Sequence, residues 1–335
     1  MTDNQRIGQL FLLGLAADRL GPGEVQVIQA DNIGSVWFTE RTTAGRPGVA
    51  SIAATVQGLA GPATTGGVRF LVAANQEGGL TQALHGPGFL EIPSALAQGS
   101  DSPPALQVSS NTWAAELSAA GVNLNFAPVA DVVPSGYESQ NQPIGVLRRG
   151  YGPDPGAVGA HVAAFVRGMH QGGVSATLKH FPGLGRVAGN TDFAAAADEV
   201  TTAPDASFQQ GIAAGADMVM VALARYDRID SQHLAVFSPI VVTGLLRNAS
   251  GFRGVVVSDD LGATAAVSDI PFGDRATRFF DAGGDLVVSK TTDATAAMVA
   301  AVRTRSAVDP AFRARLAQST RRVLEAKQAR GLLNC

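Results

Sequence analysis

Four polar clusters interrupt an otherwise apolar chain. They are Asn75-Gln76-Glu77-Gly78-Gly79, Ala127-Pro128-Val129-Ala130-Asp131, Lys179-His180-Phe181-Pro182-Gly183 and Ser258-Asp259-Asp260-Leu261, and each directly follows a short apolar run. Lysine occurs only at Lys179, Lys290 and Lys327, so a lysine at the end of a buried run is not background. A lysine offers three donors and a histidine can donate or accept, a combination that suits hydroxyl recognition. The same pair also suits a buried ion pair, because charges perturbed by burial are often structural. A carboxylate after Val255-Val256-Val257 is rigidly aimed at a strand end. It either caps the next helix or does chemistry. Asp260 is assigned the cap and Asp259 the chemistry.

The elements that must position these clusters are short apolar runs alternating with longer amphipathic stretches. The runs are Phe11–Leu15, Gly34–Phe38, Phe70–Ala74, Leu124–Val129, Ala176–Lys179, Met218–Val221, Val255–Ser258 and Leu286–Val288. They are continuous rather than alternating, which a sheet covered on both faces requires. Helical stretches are expected at Ala105–Ala120, Gly156–Gln171, Pro239–Arg247 and about Pro310 to Arg330, several ending near glycines that can supply the positive φ of a C-cap. Parallel strands joined by helices close as a (β/α)₈ barrel, with active groups at the C-terminal strand ends. A doubly wound open sheet would carry a glycine-rich phosphate turn after its first strand, and Leu15-Ala16-Ala17-Asp18-Arg19-Leu20-Gly21 has none. Residues 1–335 are expected to form one domain.

Composition narrows the function classes. The 335 residues are 46% hydrophobic and 16% charged, with a net charge of -3. That excludes a disordered chain and a polycation held to nucleic acid by phosphate neutralisation. Aromatics at 6% argue against a stacking platform for single strands. The lone cysteine, Cys335, permits no internal disulfide and no cysteine metal cluster, so neither metal nor cofactor is expected. No apolar run is long enough to span a bilayer. Arg6 before Phe11–Ala17 imitates an export signal, but Asp3 and Gln9 interrupt it and the run reads as a buried strand. A cytoplasmic location is the expectation, the alternative being an exported protein whose signal has been removed.

The clusters resemble the family 3 glycoside hydrolases, in the branch of single-domain bacterial β-N-acetylglucosaminidases. Lys179-His180-Phe181-Pro182-Gly183 and Ser258-Asp259-Asp260-Leu261 carry the likeness. It is joined in order by Ile92-Pro93-Ser94-Ala95, Asn125 to Asp131 and Arg149-Gly150-Tyr151-Gly152-Pro153-Asp154-Pro155. The ordered set spans Gly8 to Leu333. The resemblance implies a (β/α)₈ barrel and a retaining hydrolase for β-linked N-acetylglucosamine, with a saccharide as its partner. Asp259 matches the nucleophile, while Lys179, His180 and Arg149 match sugar-binding residues. Arg148 competes with Arg149, because the loop from Asn141 differs in length from the commonest pattern. Asp131 is expected to buttress the site or to orient a binder.

The sequence also departs from the family pattern. Asn75 stands where an aspartate is usual before Glu-Gly-Gly, and Ala83 stands where an arginine is usual. Losing both together is consistent, since removing one partner of an ion pair strands the other. In this branch a mobile loop brings an Asp-x-His dyad whose histidine is the acid/base. Here the loop reads Leu184-Gly185-Arg186-Val187-Ala188-Gly189-Asn190-Thr191-Asp192-Phe193, which puts Asn190 and Asp192 at the dyad positions. One reading makes Asp192 the general acid/base, with Gly185 and Gly189 letting the loop close. The other makes the protein a saccharide or muropeptide binder that does not cleave.

Overall fold

A short, wholly apolar run cannot leave either face in water. In the computed structural model, described for residues 1–16 and 19–333, eight such runs solve this by closing on one another. The strands are β1 (Phe11–Leu15), β2 (Ser35–Phe38), β3 (Leu71–Ala74), β4 (Leu124–Asn125), β5 (Ser175–Phe181), β6 (Met218–Val221), β7 (Val255–Asp260) and β8 (Leu286–Ser289). Each pairs in parallel with its sequence neighbour, and β1 closes the barrel against β8 with Phe11 opposite Val287. The run at Phe11–Leu15 is therefore a barrel strand, buried at all five positions. Ala17, Asp18, Asn334 and the sole cysteine, Cys335, lie outside the described residues.

Helices cover the outside: α1 (Pro22–Asp31), α2 (Gly45–Gln57), α3 (Pro103–Ala119), α4 (Pro155–Gln171), α5 (Ser207–Ala213), α6 (Phe272–Ala282), α7 (Thr292–Val308) and α8 (Pro310–Ala329). Three of them share one start. Pro103, Pro155 and Pro310 each occupy the first turn, where a missing N–H costs nothing, behind Ser102, Asp154 and Asp309 side-chain caps. Gly283 ends α6 with φ 115°, a conformation that glycine adopts freely.

Two elements differ from the sequence reading. The run from Leu124 pairs only as far as Asn125, because Pro128 has no N–H to extend the ladder; Val129 returns as an isolated bridge to Lys179. The stretch after β6, Ile240–Ala249, winds as a π-helix.

The C-terminal helix α8 closes the barrel's N-terminal end. Lys327 is fully buried and donates to Gln9 Oε1 (2.6 Å), the Gly34 carbonyl (2.6 Å) and the Arg69 carbonyl (3.2 Å), at the entrances to β1, β2 and β3. Beside it, Asp285 is buried before β8 and pairs with Arg247, Arg315 and Arg322. It also accepts from Ser319 Oγ (2.9 Å) and the Val256 N–H (3.0 Å). No helix among the described residues is long and apolar enough to cross a membrane.

Candidate active site

The opposite end of the barrel holds a cavity of about 470 Å³. Trp37, Phe126 and Met220 give it an apolar floor, while Asn75, Arg149, Lys179, His180, Asp192 and Asp259 give it polar walls. This end of the barrel, strand ends and loops together, thus brings together six of the seven site residues expected from sequence. The seventh, Asp131, is fully buried and takes no part in the lining.

Asp131 instead holds its neighbours. Its Oδ2 accepts from His180 Nδ1 (2.8 Å), and its Oδ1 accepts from the backbone N–H groups of His180 (3.0 Å) and Leu184 (2.8 Å). With Nδ1 turned to the carboxylate, Nε2 is the ring nitrogen left facing Arg149 Nη2, at 3.5 Å. Of the two roles anticipated for Asp131, these bonds fit the orienting of a neighbouring side chain, His180.

Glu77 is the residue that sequence reasoning passed over. It sits on the short strand Gln76–Gly78 that follows β3, with its carboxylate 4% exposed. Oε2 accepts from Arg149 Nε (2.8 Å), and Oε1 accepts from both Arg149 Nη2 (2.8 Å) and Lys179 Nζ (2.6 Å). Burial alone would raise the Glu77 pKa, but the two cations win and hold it at about 2. Lys179 shows the reverse balance, burial lowering its pKa against the pull of Glu77. The signal was present: a lone glutamate between a buried strand and two glycines in an apolar chain needs a charged partner.

Asn75 uses Oδ1 to accept a second Lys179 N–H (2.8 Å). Its backbone carbonyl accepts from the Ala83 N–H (2.9 Å), so the two unusual positions face each other across one hairpin. The competition between the two arginines is settled by the backbone. Arg148 takes φ 55° and is exposed, whereas Arg149 lines the cavity.

Asp259 and Asp192 enter from opposite directions. Asp259 lies on β7 and accepts the following residue's N–H (2.8 Å). Asp260 accepts from the backbone N–H groups of Gly262, Ala263 and Lys290; it thus caps the turn after β7 rather than the next helix, because Thr264 and Pro271 hold the N-cap positions of the helices that follow. Asp192 sits on the exposed loop after β5 yet lines the cavity. Burial of its carboxyl raises its pKa, and the charge of Asp259 raises it further. The loop is docked over the site, with Ala265 and Ala266 donating to the carbonyls of Asp192 (3.3 Å) and Thr191 (3.2 Å). Gly185 packs closely on the Val132 carbonyl, where a Cβ would collide. Of the five histidines, only His180 lines the cavity. No group of three or more metal-ligating side chains occurs among the described residues.

Two carboxyls converging on one cavity from a rigid strand and a docked loop, opposite a wall of donors, is an arrangement suited to glycosyl transfer. The family pattern described as "Glycosyl hydrolase family 3 N terminal domain" matches residues 2–326. The chain belongs to that family. A β-hexosaminidase of Stenotrophomonas maltophilia is 36% identical over 291 residues, which is 83% of this chain and 82% of the relative. One from Xanthomonas axonopodis pv. citri is 34% identical over 309 residues, covering 89% and 88%. Among solved structures, the β-N-acetylhexosaminidase from Beutenbergia cavernae superimposes with a TM-score of 0.96 at 44% identity, covering 98% of this chain and 99% of that one. The family 3 β-N-acetylglucosaminidase from a Paenibacillus species gives 0.88 at 28% identity, covering all of this chain and 64% of that one.

Proposed function

We propose that the protein is a retaining β-N-acetylhexosaminidase, with Asp259 as nucleophile and Asp192 as general acid/base. The observation that carries this reading is the shared cavity of the two carboxyls, together with the raised proton affinity of Asp192. Asp259 attacks the anomeric carbon while Asp192 gives its proton to the departing glycosidic oxygen, leaving a glycosyl ester on Asp259. Water then enters, gives a proton to Asp192 and attacks the same carbon, which frees Asp259. Arg149, Lys179, His180 and Asn75 hold the sugar's hydroxyls, and Asp131 and Glu77 hold those binders. The names of the similar proteins point to N-acetylhexosamine as the glycone.

The test is hydrolysis of aryl β-N-acetylglucosaminide and aryl β-glucoside by the wild type, Asp259→Ala and Asp192→Asn. Turnover of the N-acetylated substrate that vanishes in Asp259→Ala is the expected result. Equal rates for wild type and Asp259→Ala on both substrates overturn the hydrolase reading and leave a saccharide-binding protein. Asn75 and Asn190, neutral where family members carry charge, are the observations that favour that second reading.

A further inference from the structure

Asn141 is fully buried and uses all of its hydrogen-bonding capacity in one place. Its Nδ2 donates to the carbonyls of Leu184 (2.7 Å) and Val187 (2.8 Å). Its Oδ1 accepts from the N–H groups of Ile144 (3.1 Å) and Gly145 (2.7 Å). Both carbonyls belong to the loop that ends in Asp192. Both N–H groups belong to the loop that ends in Arg149. We propose that Asn141 is a positioning residue that locks the sugar-binding loop to the proton-donating loop, so that Asp192 is presented to the leaving group only while the two loops share this side chain. The inference rests on the acid/base role proposed for Asp192.

The surrounding bonds make the tie directional. Gln142 N donates to the Ala188 carbonyl (3.3 Å), a second and weaker link between the same two loops. Arg149 is turned back onto its own loop, its N–H bonding the Ile144 carbonyl (3.0 Å) and its Nη1 bonding the Pro143 carbonyl (2.8 Å). A sugar that engages Arg149 therefore pulls on the residues that Asn141 grips. At the far end the Asp192 and Thr191 carbonyls are held by Ala265 and Ala266. Asp192 thus hangs between an anchor at its loop's root and one at its tip. Only a primary amide offers two donors and an acceptor with two lone pairs in one plane. Aspartate at 141 has the same shape but no N–H, and would set a charge against two carbonyl oxygens.

General-acid help counts most when the leaving group is poor, so a misplaced Asp192 leaves a signature that a general loss of structure does not. The experiment measures kcat/KM of the wild type, Asn141→Asp and Asn141→Ser on 2,4-dinitrophenyl and on phenyl β-N-acetylglucosaminide. Hydrogen exchange of residues 184–193 and of β5 is measured on the same samples. Asn141→Ser is the second variant if the aspartate protein does not fold. The expected result is a loss on the phenyl substrate about tenfold greater than on the dinitrophenyl one, with faster exchange at 184–193 and none at β5. Equal losses on both substrates, or unchanged exchange at 184–193, overturn the proposal. Asp192→Asn is run alongside. If it shows no leaving-group dependence, the acid/base reading fails separately, and the exchange measurement alone decides the tie between the loops.

Discussion

Asp131 grips His180 at two points, the ring Nδ1–H (2.8 Å) and the backbone N–H (3.0 Å), so one buried carboxylate fixes both where the histidine stands and which nitrogen is turned away from it. Asp131→Asn keeps the shape but turns an acceptor into a donor against groups that already donate. The expected cost is about 1–3 kcal/mol of stability. The misaimed imidazole is expected to lower kcat/KM by up to about 100-fold. Denaturant melts and kinetics on one preparation check both. Activity equal to wild type would mean that His180 does not need this grip.

Glu77 carries a larger share of the site's stability. Glu77→Ala leaves Arg149 and Lys179 buried side by side with their shared partner gone, and the expected loss is about 3–5 kcal/mol. Acid unfolding reads the same interaction. The Glu77 pKa is about 2 in the fold against 4.5 ordinarily, so its contribution is complete above pH 4.5 and disappears as pH falls toward 2. Glu77→Gln, compared with wild type across that window, is expected to melt with a flatter pH dependence.

Asp192 titrates in the opposite sense. Burial and the neighbouring Asp259 raise its pKa, so the proton that the proposed acid role calls for persists to higher pH than on an ordinary carboxyl. The rate on a poor leaving group is expected to fall as pH rises through that raised value. The fall is expected to disappear in Asp192→Asn, whose residual rate no longer depends on this group. A kcat/KM profile on the phenyl substrate gives the answer, and a basic limb that survives in Asp192→Asn assigns it to another group.

At the other end of the barrel, Asp285→Ala strands Arg247, Arg315 and Arg322 around an empty pocket. About 3–5 kcal/mol of stability is the expected loss. Activity per folded molecule is expected to stay at the wild-type level, because the cavity lies across the barrel. A denaturant titration with an activity count of the folded fraction separates the two.

The barrel was legible because most of its strands carry a short continuous apolar run, as at Phe11–Leu15, Met218–Val221 and Val255–Val257. Met218–Val221 and Phe11–Leu15 match residue for residue. Leu124–Val129 was overread because hydropathy does not register the missing N–H of Pro128. In the site, residues at strand ends were found because position and polarity coincide there. Glu77 was missed because its role appears only when Arg149, 72 positions further along the chain, folds back onto it. The same holds for the choice between Arg148 and Arg149, which depends on a single backbone rotation.

Lys327 has a consequence for biosynthesis. Its three acceptors, Gln9, the Gly34 carbonyl and the Arg69 carbonyl, precede the ammonium that joins them by 318, 293 and 258 positions. β1 likewise waits for β8 before its outer edge is paired. β1 to β3 are therefore synthesised well before the groups that complete their edges and entrances, which makes the nascent chain a natural client for chaperones that shield exposed strands.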